Sequence, residues 1–164
     1  DFVRAQTPAG DALAIYSSAE ALSAHRPGDR PMALDFRTIG LTALIETGGR
    51  VVVNPGTDAV LLPRPAVAAL AQGDQWLPAW RDVALRELLL AEVSAACSAI
   101  TDLSITYAGD GLTRVIVSVE RSCFKGAANA SAMKQSLTQA LSHVGANRRL
   151  IASADRVEIA PILA

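Results

Sequence analysis

Three β-branched residues running into a turn signal set the tightest limit on what this chain can fold into: Val51-Val52-Val53-Asn54-Pro55-Gly56. A β-branched run suits a buried strand. Asn54-Pro55-Gly56 stops it. Proline presets φ at the second turn position and Gly56 supplies the positive φ of the third, so the order predicts a type II turn. Ala59 to Leu62 resumes the apolar run, as the return arm of a hairpin or a bent extension. Pro63 and Pro65 end that run and can open a helix, where a missing N–H costs nothing. Val67 and Leu70 lie three apart on one face, and Gly73 is placed to cap the end. These residues describe a scaffold and carry no chemistry of their own.

The segments upstream extend the scaffold. Asp1 to Asp11 is polar, contains Pro8 and Gly10, and reads as a frayed lead-in. Ala12 to Tyr16 is a short apolar strand. Ser17-Ser18-Ala19-Glu20 has a capping-box pattern and starts a short helix to about Ala24. His25-Arg26-Pro27-Gly28-Asp29 is a loop. Pro31 to Phe36 reads as a second strand, with Met32, Leu34 and Phe36 alternating. Thr38 to Thr47 reads as a mostly buried helix, ended by Gly48-Gly49. The first half is therefore expected to be β-α-β-α-β-β-α, a two-layer unit with at least one antiparallel pair.

Residues 74–81 form a linker candidate with Pro78 between Trp76 and Trp80, both tryptophans of the chain. Two readings stay open for them. Either the rings fill the seam between two halves, or they form a partner-binding aromatic pair. Asp82 then caps a long helix to about Ile100, with Leu85, Leu88, Leu89, Val93 and Ala96 at helical spacing. Leu103, Ile105 and Tyr107 alternate on a strand. Gly109-Asp110-Gly111 turns, and Val115, Val117 and Val119 alternate on the return. Gly126 to Asn129 reads as a loop, with a cap at Asn129 or Ser131 for a last helix through Met133, Leu137, Ala140, Leu141 and Val144. Gly145 and Asn147 end it, and a strand follows from about Arg156 to Ile162. The fold class is α+β (mixed α/β): two small α/β sandwich units, 1–73 and 82–164, each with a mixed or antiparallel sheet covered by helices.

Composition narrows the function classes. Among 164 residues, Lys+Arg 15 balance Asp+Glu 16, giving a net charge of -1, which lacks the basic excess a nucleic-acid partner demands. That near-neutral surface offers little colloidal repulsion and mildly favours a homodimer. No apolar run is long enough to span a membrane, and the first residues have no apolar leader, so the cytoplasm is the expected compartment. Aromatics are only 4%, so aliphatic side chains must fill the core. No phosphate-binding glycine loop and no nucleophile elbow occurs. His25 and His143 are isolated. His25 reads as a loop residue, and His143 reads as a cation favourable at a helix C-terminus. Cys97 reads as a small buried residue and Cys123 as a strand-end thiol near Arg121 and Lys125. The two are not expected to be bridged. Asp35 and Glu46 read as isolated acids, and Asp110 suits its turn. No catalytic, cofactor-binding or metal-binding residue is assigned. The structural turn Asn54, Pro55 and Gly56 and the tryptophan pair Trp76 and Trp80 are the only site candidates.

Gly48 to Gly56 followed by Leu62-Pro63-Arg64-Pro65 resembles the N-terminal domain of the SseB (enhanced serine sensitivity) family. The Ala14-to-Ala21 step, Ala-Ile-Tyr-Ser-Ser-Ala-Glu-Ala, and the Met32 to Phe36 segment agree with it in order. Thr57 departs from the serine common in relatives. The helix from Asp82 and the Ile100 to Ala108 run resemble that family's C-terminal domain. The resemblance implies a two-part bacterial α/β protein that is not an enzyme, and it brings no catalytic residue with it. The expected function is a non-catalytic protein-interaction module, a peptide-binding or secretion-chaperone-like adaptor with a protein or peptide partner. The alternative is a small-molecule (amino-acid) binding regulatory domain.

Overall fold

The computed structural model describes residues 2–125 and 127–164, with the backbone alone for residues 127–129. The chain forms two compact units, Asp1–Trp76 and Leu77–Ala164.

In the first unit, β1 (Arg4–Thr7) and β2 (Gly10–Ile15) make an antiparallel hairpin. The frayed lead-in is thus an edge strand. Arg4 and Gln6 point to water while Ala5 and Thr7 are half-buried, so polar side chains disguise a half-exposed strand. After α1 (Ala19–His25) and α2 (Phe36–Thr47), β3 (Val51–Val53) pairs parallel to β2. The turn leads into β4 (Val60–Leu62), antiparallel to β3, so the return arm is a hairpin. The sheet order is β1-β2-β3-β4. Then α3 (Arg64–Gln72) starts behind Pro63 and stops at Gly73, which is left-handed with φ 79°.

Two further expectations fail here, each for a local reason. Pro31 to Phe36 is not a strand. Asp35 is the N-cap of α2 and accepts from Thr38 N at 3.0 Å, so Phe36 already belongs to the helix. Met32 is left 68% exposed on an irregular strap. Nor is α2 mostly buried. Its inner seam is Gly40, Ala43 and Thr47, while Leu41, Leu44 and Ile45 face outward at 54%, 64% and 82% exposure. The seam is built of small residues because α3 lies so close. A Cβ on Gly40 would stand 2.6 Å from Ala71 Cβ. The buried Thr47 hydroxyl shares its one proton between Ala43 O and Arg50 O, at 3.0 and 2.9 Å, tying the helix end to the start of β3. Leu13, Ala43, Val51 and Val67 form the core between sheet and helices. Each fully buried aliphatic side chain there contributes about 1.5–3 kcal/mol.

In the second unit, α4 (Val83–Ala96) is capped by Asp82, which accepts from Leu85 N at 3.0 Å. Arg149 also grips Asp82 with two N–H groups, at 2.9 and 2.7 Å, so this buried carboxylate is fully engaged. The helix ends sooner than its apolar pattern predicts. Cys97 takes an extended conformation, and Ile100 is the first residue of β5 (Ile100–Tyr107). β6 (Leu112–Val119) pairs antiparallel to β5 and parallel to β7 (Arg156–Leu163), giving the order β5-β6-β7. Val115, Val117 and Val119 are fully buried against Leu85, Leu89 and Val93 of α4 and Ala140 and Val144 of α5 (Ala127–Ala146). Both helices therefore cover one face of this sheet. α5 includes residues 127–129, read from sequence as loop. Asn129 and Ser131, the two cap candidates, both fall inside this helix and start nothing, and Gly126 lies outside the described residues. Asn147 ends α5 and also caps α6 (Arg148–Ser153), a helix the sequence reading missed, by accepting from Arg149 N and Leu150 N. The Thr113 hydroxyl is buried without a partner among the described residues.

Candidate functional site

Parallel strands put their carboxyl ends side by side, and the crevice beyond such ends is where open α/β sheets hold ligands. Here those ends belong to β2 and β3. β2 runs out at Ile15 into Tyr16-Ser17-Ser18, and β3 runs out into Asn54-Pro55-Gly56. The two loops are stitched together. Asn54 sits in the left-handed region at φ 52°, a conformation asparagine tolerates better than most residues. Its N–H donates to Ile15 O at 2.9 Å. Its side-chain oxygen accepts from Ser17 N at 2.9 Å, and its side-chain amide donates to Ser17 Oγ at 2.9 Å. Thr57 N donates to Asn54 O at 3.3 Å across the turn, with Gly56 at φ 92°. That places proline and glycine at the second and third positions, as a type II turn requires.

Gly56 has a second reason to lack a side chain. A Cβ there would enter the His25 ring, 2.7 Å from Nε2. His25 is the last residue of α1, and its Nδ1 shares a 2.8 Å hydrogen bond with the Tyr16 hydroxyl. One cluster therefore joins the turn, Ser17, Tyr16 and His25.

Tyr16, Ser17 and Ser18 also form one wall of a cavity of about 900 Å³. Its apolar lining comes from Phe2, Val3, Ile15, Leu22 and Ile39, together with the strap Pro31-Met32-Ala33-Leu34. Arg26, Asp29 and Arg30 stand on its rim. Arg26 and Asp29 are ion-paired. The Asp29 carboxylate beside it, bonded to the guanidinium, holds the Arg26 pKa above its ordinary value. Burial pushes the Tyr16 phenol up, with Arg26 pulling it down and Asp29 pushing it up. Arg30 has no ion-pair partner among the described residues. The rim thus carries two guanidiniums against one carboxylate.

Of the residues singled out in sequence, Asn54, Pro55 and Gly56 stand beside this cavity. Trp76 and Trp80 fall on opposite sides of the division between units. Trp76 is half-buried at the end of the first. Trp80 packs on the core of the second, its ring 4.7 Å from that of Tyr107. Tyr16, Arg26, Asp29, Arg30 and Met32 were missed as site residues. The available signal was a proline, Pro31, opening a short apolar run between charged residues, Arg30 and Asp35. A separate groove of about 630 Å³ lies on the first unit between α2 and α3, lined by Leu41, Leu44, Val67, Ala68 and Ala71 among others.

Both cysteines are free thiols, and Cys97 Sγ lies 3.6 Å from Met133 Sδ. His143 stands in the last turn of α5. Among the described residues no three His, Cys, Asp or Glu side chains gather to hold a metal, and no helix is long and apolar enough to cross a membrane. Residues 1–69 match the family model described as the SseB protein N-terminal domain. No curated protein and no solved structure matched the chain.

Proposed function

With residues 1–69 an SseB protein N-terminal domain, we propose that the chain is a non-catalytic interaction module whose first unit holds an extended peptide segment of a partner. The cavity at the carboxyl ends of β2 and β3 carries this reading. Its volume of about 900 Å³ lies near the top of the range of roughly 300–1,000 Å³ usual for ligand pockets. Its strap side stays in solvent, since Arg26, Asp29, Arg30, Met32 and Ala33 are all exposed. A free amino acid would leave most of such a groove empty, whereas ligand sites bury about 70–90% of their occupant. A run of several residues fills it. The apolar lining takes side chains, and the polar rim meets backbone.

The same reading makes the second unit the matching SseB C-terminal domain and the whole an adaptor in the cytoplasm. The exposed Leu41, Leu44 and Ile45 on α2 supply apolar area for a further protein contact, the homodimer included. Titrating ¹⁵N-labelled protein with a mixture of short apolar peptides tests the groove. Amide shifts confined to residues 14–18 and 26–34 are expected, with free amino acids giving none. Shifts from free amino acids alone would replace the peptide with the small-molecule alternative.

A further inference from the structure

Resting on the peptide reading of the same groove, we propose that its occupant is the carboxyl-terminal end of a polypeptide with an apolar last residue. Three observations converge on that chemistry. The rim has one cation more than it has anions. Arg26 is already neutralised by Asp29, and Arg30 is left without an ion-pair partner among the described residues. Arg30 is followed at once by Pro31 and Met32, so a carboxylate held by its guanidinium has apolar wall beside it. Ile15, Leu22 and Ile39 of the same lining are apolar, and the hydroxyls of Ser17 and Ser18 are taken up by Asn54 and by Ala21 N.

A chain terminus suits this pattern better than an acidic side chain. The last residue carries its carboxylate and its apolar side chain on one Cα. An internal Asp or Glu brings a charge with no apolar group of its own. With Arg26 and Asp29 paired to each other, Arg30 is the one rim cation left for the occupant, so a second negative charge finds no partner and an acidic tract is disfavoured. A guanidinium meets a carboxylate through two parallel N–H donors, which gives orientation as well as attraction. Capture of a terminal carboxylate is one of the recurring modes of peptide recognition.

The test uses arrayed pentapeptides labelled at their amino ends. Their last two positions are drawn from Ala, Val, Leu, Ile, Met and Phe, and each is made as free acid and as carboxamide. Fluorescence polarisation against the full chain should find acids that bind at least about tenfold more tightly than their own amides, the effect of losing one charged pair. Arg30→Gln should erase that difference while Arg30→Lys keeps part of it. Ala33→Trp, on the exposed strap, should block acids and amides alike without changing the melt. Equal binding of acids and amides, still blocked by Ala33→Trp, overturns the terminal carboxylate and leaves the peptide groove standing. Competition by free leucine as strong as by the peptides assigns the carboxylate to a small metabolite. No binding by any member overturns both.

Discussion

Replacing Gly56 with alanine probes the joint between the turn and the groove wall. Two separate penalties are visible. At φ 92° an L-residue is strained, at a cost of roughly 1–2 kcal/mol. The new methyl also meets the His25 ring, 2.9 Å from Cγ. The ring is the far end of an exposed side chain, so it swings away, and the Tyr16–His25 hydrogen bond goes with it. That bond is exposed and contributes only about 0.5–1 kcal/mol. The sum is about 1.5–3 kcal/mol, a substantial share of a typical domain stability of about 5–15 kcal/mol. Native-state hydrogen exchange reads it best, because amides of β2 and β3 report the first unit and those of β6 the second. The loss should appear in β2 and β3 alone. A cycle with His25→Ala separates the terms: the double variant should recover the hydrogen-bond part, a coupling of about 0.5–1 kcal/mol. A Gly56→Ala loss below about 0.5 kcal/mol, or an equal loss in both units, would refute the reasoning.

Asp35 gives a pH dependence of defined sign. Bonds from the Thr38 hydroxyl and N–H hold its carboxyl below the ordinary range, so its contribution is present above the unfolded value of about 3.9 and is lost as pH falls through the lower folded value. NMR shifts of the first turn of α2 should titrate with a midpoint below that ordinary value, and a midpoint at or above it would contradict the cap. Thr113→Val replaces a buried hydroxyl lacking a partner with a methyl of similar shape, and should raise the stability of the second unit by about 1 kcal/mol in denaturant titration. Trp80→Ala should cost that unit about 2–3 kcal/mol by amide exchange in β5, below the full-burial range because the ring is only half-buried; an unchanged β5 would show that the indole does not hold the core.

The central strand β6 of the second unit was legible because its burial follows strict alternation. Val115, Val117 and Val119 lie on one covered face, and each pattern residue has one meaning. The turn at Asn54-Pro55-Gly56 was legible because its residue types are backbone requirements. Periodicity failed where apolar residues are not buried. Met32 and Leu34 alternate like a strand yet line an open groove, and Leu41, Leu44 and Ile45 have helical spacing yet face outward. Pattern records which side chains share a face and says nothing about whether anything covers it. The β1 edge strand failed the other way, since half-exposed polar residues can still form a ladder. The groove itself was hidden because its walls come from four separate segments. Only the pairing of β2 with β3 brings Ser17 beside Asn54, 37 positions later in the chain.

The division of the chain at Trp76 has a consequence for its birth on the ribosome. Every pairing of the first sheet closes before Trp76, so no strand of the second unit is required to complete it. The second sheet is the reverse case. Its central strand β6 waits for β7, the last strand of that sheet in chain order. From Trp76 to the end of β7 at Leu163, 87 residues must be added, about 4–18 s at ordinary translation speed. During that interval the groove-bearing unit is finished while the second is still an open hairpin or less, and a partner present at the ribosome meets the first unit before the second has formed.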